Sequence, residues 1–391
     1  MHQDQTYRTG TLALALLGSV RSMNAIRQQI RFCRAHDGTQ LAVGMVGKGP
    51  PLLHVGHWLS HIKRDARSPV WIPWLRELSQ SHTYIRYDQR GCGLSESAST
   101  PASLETWTKD LETVADTLGL KRFALLAMSQ GGAPAIAYAA SHPDRVSHLV
   151  LLGAYAQGRL RRDPHPLQHE EAAVLLDVMR IGSQGDNRAF REIFTMLFIP
   201  DGTREQHRWF NDLGPVATLA DNAVAMREAF YQLDVTALAK TVRVPSLILH
   251  ARQDAVVPFE QGRRLAALIP SARFVPLDSR NHVLLETEPA WAQFLAELRS
   301  FLADGMGSAG QLDRLPGAER LTPAELQVLT LLARGLHDAA IAARLDKGEK
   351  TVRNQVSSIL GKLGASTRAE AVALARDAGI GEAGGNAASA P

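Results

Sequence analysis

The sequence predicts two folds in tandem: an α/β domain with a mostly parallel sheet and a helical insertion, then a small all-α domain of four helices. Three observations carry this. The chain has 391 residues, more than a single core usually sustains. From Ile30 to about Leu302, short β-rich runs alternate with helical patterns, as parallel strands joined by crossover helices require. After Phe301 a stretch bearing Gly305, Gly307, Ser308, Gly310, Pro316 and Gly317 breaks the pattern, and beyond it only helical periodicity remains.

The predicted strands are Leu52 to Val55, Thr83 to Tyr87, Phe123 to Ala127, His148 to Leu152, Ser246 to His250 and Arg273 to Pro276, each a short apolar or β-branched run. Between Gly153 and Lys240 the alternation stops and helical patterns dominate. That stretch reads either as ordinary helical packing or as a lid over a pocket. The expected organisation is an N-terminal extension over 1–29, an α/β domain over 30–302 with its insertion at about 154–240, a linker over 303–318, a helical domain over 319–380 and a disordered tail over 381–391.

Composition narrows the class. A hydrophobic content of 45% with 21% charged residues is that of a globular chain and argues against bulk disorder. The formal net charge of +4 is too small to argue for nucleic acid by itself, so any such argument rests on where the charges lie. Two cysteines, Cys33 and Cys92, give neither a disulfide framework nor a metal-ligand cluster, and suit a reducing, cytoplasmic compartment. No segment reaches the roughly 20 apolar residues of a membrane-spanning helix, so no membrane association is expected. Arg8 followed by the run Leu12 to Leu17 loosely resembles a secretory signal, but the run is short and no small-x-small cleavage site follows. A start at Met23 is the alternative.

In the C-terminal part, Leu321-Thr322-Pro323 opens a helix well, because a threonine can cap free N–H groups and proline suits the first helical position. Glu325 sits in its first turn, and Leu326, Leu329 and Leu332 form a buried stripe. Gly335 ends it, a second short helix carries Ile341, Ala342 and Leu345, and Gly348 begins a third. There Val352, Val356, Ile359, Leu360 and Leu363 make one apolar face. The opposite face carries Lys350, Asn354, Ser357, Ser358 and Gly361, with Arg353 and Thr351 at its edges. Between Arg344 and Lys362, five basic residues oppose two acidic ones, a local positive strip suited to phosphates. Two short helices joined by a tight turn, the second with such a face, fit a DNA major groove; a protein-docking domain is the alternative.

The run Leu321 to Ala375 resembles the LuxR-type (GerE-like) helix-turn-helix family in its Leu-Thr-Pro-x-Glu opening, Leu-Leu-Ala-x-Gly, Ile-Ala-x-x-Leu, Glu-Lys-Thr-Val-x-x-x-Val and Ile-Leu-x-Lys-Leu, in order and spacing. The resemblance implies that Lys350 to Lys362 is the recognition helix, with Arg353, Asn354 and Ser357 as base readers and Lys350, Thr351, Gln355 and Lys362 as phosphate contacts. Three positions depart from the family: Gly348 where a capping serine is frequent, Gln355 where histidine is common, and Gly361 where arginine or lysine is common.

In the N-terminal domain, Ala127-Met128-Ser129-Gln130-Gly131 follows a predicted strand and precedes an alanine-rich helix. That is the context of a nucleophile elbow, where small neighbours let a strained turn lift the serine hydroxyl clear of the sheet. Asp254 follows a later strand and His282 the last one, giving the chain order Ser, Asp, His. In that chemistry Ser129 is the nucleophile, His282 the general base and then acid, and Asp254 the residue that orients and stabilises the imidazolium. The N–H of Gln130 and one from His57, in the loop that also carries Trp58, are the candidate oxyanion donors. Asp88-Gln89-Arg90-Gly91-Cys92-Gly93 after a strand is a further, less specific turn signal.

Residues from about Ile30 to Leu302 resemble the α/β-hydrolase fold. Ala127 stands where the family has glycine, and Val55-Gly56 where it has His-Gly. The resemblance implies an eight-stranded sheet with a helical cap, and no metal or organic cofactor. Together the two resemblances imply a transcription regulator whose hydrolase-like domain binds a small, hydrophobic ligand and controls binding to double-stranded DNA. The alternative is a serine esterase carrying an accessory DNA-binding module. A homodimer is expected, since one recognition helix covers few base pairs.

Overall fold

The computed structural model describes residues 26–97, 102–162, 166–184, 188–270, 272–312, 320–345 and 347–378, with Leu315, Gly317 and Ile380. Most of the predicted N-terminal extension and the tail over 381–391 lie outside the described residues.

Eight strands form one sheet: β1 (Gln29–Arg34), β2 (Gln40–Val46), β3 (Pro51–His54), β4 (Thr83–Tyr87), β5 (Phe123–Met128), β6 (Val146–Leu152), β7 (Ser246–Ala251) and β8 (Ala272–Leu277). Their spatial order is β1-β2-β4-β3-β5-β6-β7-β8. Strand β2 runs antiparallel to both its neighbours and the other pairings are parallel. The central strands read as unbroken apolar runs because both faces are covered: every residue of β5 and of β7 is buried.

Five of the six predicted strands lie within β4 to β8, and the first, Leu52 to Val55, runs one residue past the end of β3 at His54. The hairpin β1–β2 was not among them. Strand β1 is an edge strand whose side chains are mostly solvent-facing, with only Cys33 fully buried, so it shows no apolar run. Its signal is the turn, where Asp37-Gly38 separates the two strands and Asp37 accepts a hydrogen bond from the Thr39 N–H at 3.1 Å. The domain also starts earlier than predicted. Ile26 packs against the core, and the Gln28 side chain donates to the Ile62 carbonyl and accepts from Arg86.

Helices α1 (Ile62–Asp65), α2 (Trp71–Leu78), α3 (Leu104–Thr117) and α4 (Gly132–Ser141) connect the first six strands. Between β6 and β7 come α5 (Arg159–Arg162), α6 (Pro166–Gln184), α7 (Arg188–Phe198), α8 (Arg204–Ala217), α9 (Ala220–Tyr231) and α10 (Thr236–Ala239), which form the helical cap. Helix α11 (Phe259–Leu268) links β7 to β8, and α12 (Pro289–Leu312) follows the sheet. Trp74 of α2 meets Trp291 and Phe294 of α12 at ring separations of 5.0 and 4.9 Å, clamping both helices together.

Helix α12 continues through Leu312, well into the stretch predicted as a linker from residue 303. Each helical glycine costs about 1 kcal/mol relative to alanine, a cost that a helix already nucleated on the sheet domain tolerates. Leu315, also within that stretch, is buried in the second hydrophobic core.

That second core belongs to four helices: α13 (Pro323–Ala333), α14 (Asp338–Leu345), α15 (Glu349–Leu363) and α16 (Arg368–Asp377). It is built from Val328, Leu329, Ile341, Val352, Ile359 and Ala375 among others. Thr322 and Glu325 cap α13 reciprocally. Gly364, at φ 68°, closes α15 in the left-handed conformation, with its N–H bonded to the Leu360 carbonyl. Among the described residues no helix is long and apolar enough to cross a membrane.

Candidate functional site

Strands β3 and β5 are parallel neighbours, with Leu52, Leu53 and His54 opposite Ala124, Leu125 and Leu126. The segments leaving their C-terminal ends therefore emerge side by side, at the point where chain order in the sheet reverses. One is the loop of His57 and Trp58; the other is Ser129-Gln130. Ser129 has φ 51°, and among the described residues no other non-glycine residue has a positive φ. Such a conformation is strained for a residue with a Cβ and persists when its surroundings enforce it. Small neighbours permit it, since a side chain at Gly132 would meet the Ala154 Cβ at 2.6 Å.

His282 Nδ1 donates to Asp254 Oδ2 at 2.6 Å, with both side chains buried. The other oxygen of Asp254 accepts the N–H groups of Val256 and Val257 at 2.8 and 2.9 Å. The carboxylate is thus anchored by backbone on one side and free to orient the imidazole on the other. His282 Nε2 is buried and has no hydrogen-bond partner among the described residues. Ser129, Gln130, His57, Trp58 and His282 line one cavity, so the fold gathers residues that the sequence spreads over some 225 positions. No hydrogen bond joins Ser129 to His282. Such contacts are often long in unliganded sites and tighten on substrate.

His57 stacks on Trp71 at a ring separation of 5.5 Å. Burial, followed by repulsion from Arg86 and His282, lowers its pKa to about 4, so it is neutral near pH 7. Behind it His54 is held neutral by burial as well and its Nδ1 is bonded to Tyr84 Oη at 2.7 Å. The cavity therefore carries no histidine charge on the oxyanion side. An adjoining cavity shares Trp58, Leu59, Phe198 and Phe210 with it and adds Met179, Phe190 and Phe194 from the cap. Its walls are mostly apolar and aromatic, the chemistry of a small-molecule pocket.

Sequence reasoning missed three supports. Gly153, at φ 57°, follows β6, and a Cβ there would lie 3.1 Å from His282 Cε1 and 3.2 Å from Nδ1. It is the floor under the imidazole. Phe198, at the end of α7, accepts the backbone N–H groups of His282 and Val283 at 2.9 and 3.2 Å, which ties the cap to the His282 loop. His250, fully buried in β7, bonds the Val257 carbonyl through Nε2 at 2.8 Å and so braces the turn that carries Asp254. A glycine directly after an apolar strand was the readable signal for the first; the other two depend on packing that no local pattern announces.

The Asp88 turn is a buttress rather than a part of the cavity. Its carboxylate accepts the N–H groups of Ile62 and Leu94 at 3.0 and 2.9 Å, and burial raises its pKa to about 6 despite those bonds. Nearby, Arg90 forms a two-pronged pair with Asp110 at 2.7 and 2.5 Å.

The second candidate site is the outer face of α15. Lys350, Thr351, Arg353, Asn354 and Ser357 are exposed there, while Val352, Val356, Ile359 and Leu363 are buried beneath them. Arg353 makes an exposed pair with Glu349 at 3.2 Å, of little energetic weight. Gln355 is half-buried and accepts from Lys347 Nζ at 3.3 Å. Lys362, expected to meet phosphate, is engaged elsewhere. Its Nζ lies 2.6 and 2.8 Å from the Glu325 oxygens, and Ser358 donates to the same carboxylate at 2.7 Å. Burial pushes the Glu325 carboxyl up, but the bonds from Lys362, Ser358 and Thr322 outweigh it and hold the pKa at about 2. Lys362 thus fastens α15 to the start of α13, a role invisible in the sequence because the partner lies 37 residues away.

Comparison with known proteins follows the same division. Residues 66–289 match the family model for the alpha/beta hydrolase fold, and residues 319–375 match that for bacterial regulatory proteins of the luxR family. Among curated proteins, the chain is 25% identical over 255 residues to the AB hydrolase superfamily protein YisY of Bacillus subtilis, covering 64% of this chain and 91% of that one. It is 26% identical over 228 residues to a non-heme chloroperoxidase of Streptomyces lividans, covering 54% and 79%. Among solved structures, an esterase from Exiguobacterium antarcticum superposes with a TM-score of 0.61 at 25% identity, over 70% of this chain and all (100%) of that one. An enol-lactonase from Burkholderia xenovorans shares the fold with a TM-score of 0.58 at 23% identity, over 70% of this chain and 100% of that one. The chain therefore belongs to the α/β-hydrolase-fold family, and behind that domain it carries a DNA-binding domain of the bacterial luxR regulatory family.

Proposed function

We propose that the protein is a homodimeric transcription regulator, acting in the cytoplasm, whose hydrolase-fold cavity binds a small, largely apolar molecule and thereby biases DNA binding by α15. The observation that carries the reading is the exposed set Lys350, Thr351, Arg353, Asn354 and Ser357 on a helix packed by its other face, in one chain with an aromatic-walled cavity. In this reading Arg353, Asn354 and Ser357 read base edges. Lys350, Thr351 and Gln355 contact phosphates. A dimer places two such helices on half-sites one helical turn apart.

Ligand control requires that the ligand bind one conformational or oligomeric state more tightly than the other; tight binding to both changes nothing. The test is a gel shift on the gene's own upstream DNA, with and without small-molecule extracts. A retarded band whose midpoint moves with extract supports the reading, and an unchanged midpoint across extracts contradicts ligand control.

A second reading, ester hydrolysis, is favoured by one observation: His282 is oriented by Asp254 with Nε2 free in the cavity that Ser129 lines. Ser129 would attack the carbonyl while His282 takes its proton and returns it to the leaving alcohol; water, deprotonated by His282, would then attack the acyl-enzyme and release the acid and Ser129, with N–H groups of Gln130 and His57 stabilising the oxyanion in both halves. Several relatives bear hydrolase names. Hydrolysis could serve the regulator by destroying or creating its signal. Ser129→Ala separates the two: cleavage of a short-chain 4-nitrophenyl ester falls by about 10⁶-fold. Ligand-dependent DNA binding survives if binding is the primary output and is lost if turnover is.

A further inference from the structure

A third cavity, with about 400 Å³ of space, also touches Ser129 and Gln130, and its chemistry is unlike that of the other two. Its walls carry Arg159, Arg162 and Arg227 together with Tyr155 and Tyr231. Arg159 is paired with Glu171. Arg162 and Arg227 have no carboxylate partner among the described residues. The negative charge next to this wall is Asp254, and it is engaged with His282 and two backbone N–H groups.

Arg227 is nine-tenths buried, at 9% exposure. Its Nε donates to Tyr231 Oη at 3.2 Å, and its guanidinium carbon lies 5.6 Å from the Trp58 ring centre and 5.7 Å from that of Phe194. The aromatic rings hold the fork in place and leave its terminal nitrogens without a hydrogen-bond partner among the described residues. Arg162 Nη1 is buried and also without one, with the guanidinium 5.8 Å from the Tyr155 ring centre. Burial lowers the pKa of Arg162, though arginine remains charged. A largely buried guanidinium beside a half-buried one whose Nη1 is buried and unpartnered offers donors that an anion arriving in the cavity satisfies.

The geometry points to a carboxylate subsite: the ligand is an amphipathic carboxylic acid or half-ester, clamped at its acidic end by Arg162 and Arg227, with its apolar end among Trp58, Phe194, Phe198 and Phe210. Trp58 lines both apolar cavities and stacks near Arg227, and Ser129 and Gln130 line both the central and the cationic cavity. One elongated molecule can therefore reach both ends and pass Ser129. Two planar forks match a flat, two-oxygen acceptor. A phosphoryl group would need donors on a third side, where Arg159 is already paired with Glu171 and Phe230, Val256 and Val257 offer apolar surface. This assignment rests on the reading of the domain as a small-molecule pocket.

Calorimetric titration of the full-length chain with octanoate, 1-octanol and octyl phosphate tests it. Octanoate binds at least tenfold more tightly than octanol, and Arg162→Gln and Arg227→Gln each reduce that ratio at least fivefold, with thermal melts reporting that the variants fold. Should Arg227→Gln unfold, the half-buried Arg162 carries the test. Equal binding of octanoate and octanol overturns the subsite while leaving the small-molecule reading intact. Tighter binding of octyl phosphate overturns its assignment to carboxylate. Binding of none of the three overturns the small-molecule reading and the subsite with it.

Discussion

The hydrolase-fold cavity and the outer face of α15 solve opposite problems. Around the cavity, Ser129, Asp254 and His282 come from three distant loops; Asp254 is held by backbone bonds and orients His282, both buried, while Ser129 is half-buried. Low dielectric and fixed geometry make each interaction strong there, and each displacement expensive. On α15 the candidate residues are consecutive turns of one helix, exposed and long, with weak mutual pairs. In the proposed function, phosphates and bases are what order them. The difference teaches that a pocket is made by topology, whereas a groove-reading surface is made by a single amphipathic helix and the few bonds that aim it. Lys362 marks the border, a cation on α15 engaged in fixing that helix to α13.

Four substitutions sharpen or break this contrast. The largest effect belongs to Gly153→Ala. The new Cβ is strained at φ 57° and forces His282 to give by a few tenths of an ångström; since misplacing a catalytic group by about 1 Å costs on the order of 10²-fold, a loss of about tenfold or more follows. Turnover of a 4-nitrophenyl ester should fall by that much while DNA affinity stays unchanged; equal losses in both would erase the separation between the two sites. Next is Asn354→Ala, expected to weaken specific DNA binding by about 1–3 kcal/mol and to relax preference at one base pair. Fluorescence anisotropy on a duplex series with single base changes reads both, and a uniform loss across the series would reassign Asn354 to the backbone.

Lys362→Ala acts through folding instead. It leaves the Glu325 carboxylate with fewer donors, and the helical domain loses about 1–2 kcal/mol, seen as a lower melting transition. The pH dependence has a definite sign. Glu325 has its folded pKa depressed to about 2, below the ordinary glutamate value, so its stabilisation is present above that ordinary value and is lost as pH falls toward 2. Wild type should lose more of this domain's stability than Lys362→Ala between pH 5 and pH 2, and parallel melting curves would contradict the role given to the pair. The smallest effect is Gly361→Lys. A Cβ there meets open space, so the helix gains up to about 1 kcal/mol and the salt slope of DNA binding steepens by about one unit.

Much of both sites was legible, for different reasons. The strands β3 to β8 and the elbow at Ser129 announce themselves because buried parallel strands are apolar throughout and a strained turn needs small neighbours. The apolar stripe of α15 follows from periodicity alone. Strand β1 was not legible as an apolar run, being an edge exposed on both faces. The helical course of residues 303–312 was hidden because glycine propensity is a weak prior once a helix has been nucleated by tertiary packing. The cationic wall was hidden for a simpler reason: Arg162 and Arg227 are ordinary surface-type residues in sequence, and only the folded cap brings them to Ser129.

The central claim is that α15 reads DNA. It is tested most directly by anisotropy of a labelled duplex from the gene's own upstream region, titrated with the full-length chain against a scrambled duplex at equal salt. The account predicts a preference of at least about 10³-fold for the native duplex. Equal affinity for the two duplexes would contradict it.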